Sequence, residues 1–191
     1  ITPPALVTTA ASSITGTSAL SGGNAINANN GTISAKGVQW SITNDFAAVL
    51  GTTNDGTGAT NYSSALTPLT AGTTYYARAY AINEAGTGYG NTISFITGTV
   101  PSIVTTTPYN ISTTSADSGG ESISDGSLTL INKGIEWSLN SSMDPILNSF
   151  TVVTSDVGSF TTTMPNLLAD TTYYVRAFAT NSLGVSYGAI L

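Results

Sequence analysis

The sequence predicts an all-β chain folded as two tandem β-sandwiches of about seven strands each. Three observations carry that prediction. The chain repeats itself almost from end to end. Helix signals are scarce. Short β-branched and aromatic runs alternate with turn clusters at roughly ten-residue spacing, as in all-β folds.

The repeat sets the domain organisation. Val7-Thr8-Thr9 returns as Val104-Thr105-Thr106, Ser21-Gly22-Gly23 as Ser118-Gly119-Gly120, Lys36-Gly37 as Lys133-Gly134 and Trp40-Ser41 as Trp137-Ser138, all at an offset of 97 residues. After one net insertion the offset is 98, where Thr73-Thr74-Tyr75-Tyr76 matches Thr171-Thr172-Tyr173-Tyr174 and Tyr89-Gly90 matches Tyr187-Gly188. The boundary falls near Gly98-Thr99-Val100-Pro101, giving domains 1–98 and 99–191. Each is close to the ~100 residues of a seven-stranded sandwich.

The elements follow in order along the first copy. Residues 5–8 read as its first strand, and Ser21-Gly22-Gly23 as a turn. Lys36 to Ile42 reads as the third strand, with Val38, Trp40 and Ile42 in phase toward the core. Asn44 to Leu50, opposite Met143 to Leu147, holds the only plausible helical turn. Asn54-Asp55-Gly56 and Asp125-Gly126 are turns. The clearest strand is Thr73 to Asn83. Alternation sends Tyr75, Ala77, Ala79 and Ala81 to one face and Tyr76, Arg78, Tyr80 and Ile82 to the other. Tyr173, Val175, Ala177 and Ala179 repeat the small face, and Tyr174, Arg176 and Phe178 repeat the aromatic–Arg–aromatic row. Neighbours two apart on one face lie about 7 Å from each other, so each guanidinium could lie on both rings of its row. The rows read as ladders shielding the outer sheet or as ligand platforms for sugar or protein.

Leu69-x-x-x-Thr73-x-Tyr75 and Leu167-x-x-x-Thr171-x-Tyr173 resemble the tyrosine corner of fibronectin type III domains, where the Tyr hydroxyl bonds upstream backbone. The run Tyr-Tyr-x-Arg-Ala-[Tyr/Phe]-Ala-x-Asn, the Tyr-Gly pair and Ser94-Phe95-Ile96-Thr97 look like the type III-like repeats of secreted and surface proteins of Bacteroidetes bacteria. The Lys-Gly-x-x-Trp-Ser strand fits the same repeats. The resemblance covers nearly the whole chain. It implies immunoglobulin-like sandwiches in an extracellular or cell-surface protein: an adhesin stalk, a fibre or a spacer in a secreted hydrolase. No Arg-Gly-Asp tripeptide is present.

Composition narrows the chemistry. The chain has no Cys and no His, four Lys+Arg and ten Asp+Glu, for a net charge of −6. A basic nucleic-acid face is excluded, and so are thiolate chemistry, imidazole catalysis and the common zinc sites. No apolar run approaches a membrane span. A nucleophile would need Lys or a carboxylate as its base. Each repeat has one Lys, on a strand and followed by Gly. The first repeat's carboxylates, Asp45, Asp55 and Glu84, have no counterparts in the second. Asp117, Glu121 and Asp125 form an acidic cluster at four-residue spacing, without the alternating ligands of a calcium loop. The reading is a protein that is not an enzyme and carries no cofactor or metal. Only four positions invite a trypsin-like protease, which suits an exposed surface.

The second copy reaches Gly188-Ala189-Ile190-Leu191, where the first runs on through Ser94 to Thr97. A slice of a longer array and a subunit completed by strand addition both account for this. In the second case Ala189, Ile190 and Leu191 mark the assembly edge, and Ala5, Leu6, Val7 and Thr8 are the candidate donor. The partners expected are other copies of the chain or neighbouring repeats, with surface glycans as ligands of the platform alternative. The leading functional expectation is a non-catalytic segment of a bacterial adhesin or surface filament. The alternative is a carbohydrate-binding or spacer module of a secreted polysaccharide-degrading enzyme.

Overall fold

A computed structural model describes residues 1–191, apart from the side chain of Ser122. It is all-β, with every sheet antiparallel. The chain divides into two compact units, Ile1–Gly98 and Thr99–Leu191.

In the first unit, β1 (Ala5–Ser12), β2 (Ala19–Asn27) and β5 (Tyr62–Leu66) form one sheet in the order β1-β2-β5. The other has the order β4-β3-β6-β7, from β3 (Ala35–Ser41), β4 (Gly51–Thr52), β6 (Thr74–Asn83) and β7 (Gly86–Tyr89). Strand β8 (Ile93–Ile96) also pairs with β6, so β7 and β8 are two halves of one interrupted edge. At the break, the Ala79 N–H is taken by the Thr8 hydroxyl at 2.9 Å, a bond that reaches across from β1.

The second unit repeats the plan. Strands β9 (Ser102–Tyr109), β10 (Ser115–Ser124) and β13 (Phe160–Pro165) make the sheet β13-β10-β9. Strands β11 (Asn132–Ser138), β12 (Asn148–Val153), β14 (Tyr174–Asn181) and β15 (Gly184–Tyr187) make β12-β11-β14-β15. Thr105 takes the role of Thr8, accepting the Ala177 N–H at 3.0 Å.

The cores follow the alternation. Ala77, Ala79 and Ala81 on β6, and Ala177 and Ala179 on β14, are fully buried. Small side chains there let the sheets approach over Val38, Trp40 and Leu66 in one unit and Ile135, Trp137 and Met164 in the other. Ile42 does not join Trp40, because β3 ends at Ser41 and Ile42 is left exposed.

Two further expectations are corrected. Ser21-Gly22-Gly23 is no turn: it lies inside β2, where a Cβ on Gly22 would fall 2.0 Å from the Tyr62 carbonyl oxygen. Only glycine permits β5 to pass that close. Residues 44–50 form no helix. The Asp45 carboxylate accepts from the Thr43 hydroxyl at 2.7 Å and the Ala47 N–H at 3.0 Å, closing an Asx-type turn instead. Phe46 and its counterpart Met143 both adopt positive φ, 54° and 60°, and both are buried.

Candidate functional site

An apolar groove opens in the second unit, and the first unit explains it. There, Phe95 on β8 is buried and stacks on Tyr75 with ring centroids 5.9 Å apart. Around it pack Ile14, Ala19, Leu66, Leu69 and Ala77. At offsets of 97 and 98 their counterparts are Ile111, Ala116, Met164, Leu167 and Val175, with Tyr173 for Tyr75. All six of these residues line a groove of about 460 Å³. It is the Phe95 socket without an aromatic ring in it.

Backbone geometry agrees. Ala77 pairs with Ile93 in the first unit. In the second, Val175 and Leu191 exchange two backbone bonds, of 3.0 and 3.1 Å, in the same register. Leu191 thus stands opposite Val175 as Ile93 stands opposite Ala77. Ala189 is held there by the Thr105 hydroxyl, which donates to its carbonyl at 2.6 Å.

Both tyrosine hydroxyls accept upstream N–H groups at 2.9 Å, Tyr75 from Thr70 and Tyr173 from Leu168. Their burial differs. Tyr75 is 4% exposed, whereas Tyr173 is only half-buried because the groove opens beside its ring.

Residues 5–8, the candidate donor, lie in the first strand of their own unit. Ala5, Leu6, Val7 and Thr8 belong to β1, paired with β2 from Ala5 opposite Asn27 onward. Leu6 and Thr8 are buried, and the Thr8 N–H donates to the Asn91 side chain at 3.1 Å. Withdrawing this segment would open its own unit.

The aromatic rows are also rearranged. Arg78 does not lie on Tyr76 and Tyr80. Its guanidinium carbon sits 4.1 Å from the Phe46 ring centroid and 3.9 Å from that of Tyr89, and Gln39 accepts from it at 3.1 Å. Arg176 lies 3.8 Å from the Tyr187 centroid, not between Tyr174 and Phe178, and donates to Glu136 at 2.6 Å. Tyr89 and Tyr187 are the diagonal cross-strand neighbours, standing opposite Tyr80 and Phe178, and Phe46 comes from the loop after β3, so each cation leans off its own strand. Tyr80 and Phe178 are buried, and the Tyr80 hydroxyl donates to the Thr53 carbonyl at 2.6 Å. Burial, followed by the nearby Asp55 charge, raises the Tyr80 hydroxyl above its usual pKa. Tyr76 and Tyr174 stay half-buried. The rows form a clamped outer ladder rather than a flat aromatic platform.

The lysines are the feature that pattern reading missed. Lys36 and Lys133 point into their units at 2% and 3% exposure. Lys36 gives its three protons to the Gly58 carbonyl, the Thr60 carbonyl and the Thr60 hydroxyl at 3.0, 2.7 and 2.8 Å. Lys133 donates to the Asp156 carbonyl at 2.8 Å and to that of Gly158, with the Asp156 carboxylate 3.7 Å away. Lys36 spends all three donors of its ammonium, and Lys133 two, on holding a loop. The signal was present in the sequence: each Lys is in phase with the core residues of its strand. The glycine that follows makes room for a ring, since a Cβ on Gly37 or Gly134 would meet Tyr80 or Phe178 within 2.8 Å.

The acidic cluster does not assemble. Asp117 accepts from Thr163 at 2.6 Å and Asn110 at 2.8 Å, and those bonds lower its pKa. Asp125 closes the turn after β10 by accepting the Ser127 N–H. Among the described residues no three acidic side chains stand close enough to share a metal ion. No helix is long and apolar enough to cross a membrane. No protein-family model matches the chain, and no curated protein matches it.

Proposed function

We propose that this chain is a non-catalytic structural segment of an extracellular bacterial adhesin or surface filament, of the fibronectin type III-like kind. The observation that carries it is the tandem repetition of one cysteine-free β-sandwich in which both lysines are buried and both arginines are held against rings.

Other features support the setting. Both units bury their lysines and hold their arginines against rings, which withdraws the trypsin-sensitive positions from solvent. The absence of cysteine removes any need for a redox partner. The carbohydrate-module alternative loses its platform to the burial of Tyr80 and Phe178.

Limited trypsin digestion of the folded chain tests the proposal. Resistance at Lys36, Arg78, Lys133 and Arg176 until the units unfold is the expected result. Ready cleavage at these positions in the native chain overturns it.

A further inference from the structure

We propose that β12 is an interface: two copies of this chain join there edge to edge, antiparallel, across a two-fold axis at Thr151. The inference goes beyond the reading above and does not use it.

Strand β12 is the outermost of the sheet β12-β11-β14-β15, and among the described residues no strand pairs with its outer side. Its pairing with β11 runs without a bulge from Asn148 opposite Trp137 to Val153 opposite Asn132. Bonding in such a ladder alternates. The Thr154 N–H turns inward to the Ile131 carbonyl at 3.2 Å, so Val152 and Phe150 also turn their backbone groups toward β11. Ser149, Thr151 and Val153 turn theirs outward. The Ser149 N–H finds the Asn148 side chain at 2.9 Å, whereas Thr151 and Val153 face water. Val153 is 83% exposed, and Phe150 shows 39% of its surface.

An open edge is normally guarded, and the other edges of this protein are. Bulges interrupt β1 and β9. Strand β4 has two residues, and β7, β8 and β15 have four each. Pro68 follows β5 and Pro165 ends β13. The first unit shows the guarded form of this same edge. At an offset of 97 the counterpart of Val152 is Asp55, just beyond β4. Its carboxylate accepts from the Thr53 and Ser64 hydroxyls at 2.8 and 2.5 Å. There the edge carries a charge and no longer runs as a strand. Strand β12 has neither charge nor proline, and Phe150 to Val153 are all strand-favouring residues.

The occupant follows from charge and register. The 11 residues from Pro145 to Ser155 carry no charge, in a chain of net charge −6. A second copy, equally acidic, meets the least repulsion here. Centred on Thr151, the pairing sets Thr151 opposite Thr151, Phe150 opposite Val152 and Ser149 opposite Val153. Two aromatic–β-branched pairs form, on the face of the sheet that bears Ile135 and Lys133. The outward N–H and C=O groups of Thr151 and Val153 gain partners, and two four-stranded sheets become one. A one-residue slip would set inward-turned groups against outward ones. One strand pair is a small contact, so the dimer is weak, with a dissociation constant on the order of 0.1 mM.

Sedimentation equilibrium of the 191-residue protein, from about 10 μM to about 1 mM, tests this. A monomer–dimer equilibrium is expected, tighter at about 0.15 M salt than at about 0.01 M. Hydrogen exchange at the highest concentration should show new protection at 149–153. Thr151→Pro removes an N–H that turns away from β11, and proline is tolerated on edge strands. It should weaken dimerisation about tenfold or more. Val153→Glu, at a position 83% exposed, adds a like charge to the edge and should weaken it comparably. Both variants should keep the parent's melting midpoint in dilute solution; where Thr151→Pro does not, Val153→Glu decides. A chain that is monomeric at about 1 mM overturns the proposal. So does a dimer that the folded variants leave unchanged, or one protected at 171–175 or elsewhere in place of 149–153. None of these outcomes touches the trypsin result, so the two readings fail separately.

Discussion

Replacing Phe95 by Ala should give the first unit the open socket that the second already has, and the cost follows from its surroundings. The ring is 8% exposed, stacked on Tyr75 at 5.9 Å, and enclosed by Leu66, Leu69 and Trp40. Phe-to-Ala changes in cores cost about 3–5 kcal/mol, the spread reflecting how far the site relaxes. The second unit shows the relaxed outcome, a groove of about 460 Å³ that remains open beside a folded core. Solvent can enter such a groove, so the lower end applies, about 3 kcal/mol. For a unit of this size each kcal/mol moves the midpoint by roughly 4–8 °C, so the first unit should melt about 12–24 °C lower. Calorimetry gives the transitions, and hydrogen exchange on peptides from each unit assigns them. The second unit's transition should not move. Ser94→Ala, on the exposed face of the same strand, should stay within about 0.5 kcal/mol. If Phe95→Ala lowers the first unit by less than about 4 °C, the ring does not anchor β8. The socket reasoning applied to Tyr173 then fails with it.

Three other outcomes are expected. Tyr75→Phe removes the acceptor for the Thr70 N–H and should cost about 0.5–1.5 kcal/mol in urea unfolding. Tyr173→Phe should cost less, because its ring is only half-buried. Lys36→Met keeps the aliphatic stem but strands the Gly58 and Thr60 carbonyls; about 2 kcal/mol or more should be lost, with faster exchange across residues 56–60, and an unchanged midpoint would show the ammonium is dispensable. Stability should be flat from about pH 5 to about pH 9. On the acid side, hydrogen bonds from Thr43, Thr32 and Thr163 hold Asp45, Glu84 and Asp117 below their ordinary values. Their contribution is present above those values and is lost as pH falls through the lowered ones. On the alkaline side, burial raises Tyr62 and Tyr80 above the ordinary 10.0. Their contribution is present below pH 10 and is lost as pH climbs beyond it. A midpoint that drops sharply between pH 6 and pH 8 would contradict the absence of a group titrating there.

What the sequence made legible was whatever depends on period and repetition. The alternation in β6 and β14 separates the small core face from the outer row, and the offsets pair the walls of the Tyr173 groove with those of the Phe95 socket. Contacts between strands distant in sequence were not legible. No spacing rule says that Arg78 will leave its neighbours Tyr76 and Tyr80 for Phe46 and Tyr89, because that choice depends on which strands become adjacent. The Asn44–Leu50 segment misled because its unbroken apolar run Phe46 to Leu50 reads as a helical turn, while Asp45 offers the backbone a competing turn. Residue type alone places a lysine such as Lys36 or Lys133 outside. Their phase with Val38 and Ile135 placed them inside, and the carbonyls that satisfy them lie more than twenty residues away.

The interior placement of the cations has a further effect, on how copies meet in solution. Lys36 and Lys133 are sealed within the units, and Arg78 and Arg176 are half-covered by rings. Asp45, Glu84, Glu121, Asp144, Asp156 and Asp170 face water. The exterior is thus of nearly one sign, more so than a net charge of −6 suggests. Approaching copies repel over roughly the Debye length, about 30 Å in dilute buffer and about 8 Å at physiological salt. Ionic strength therefore acts as a throttle on encounter. Low salt keeps copies apart, and added salt shortens the distance over which they repel.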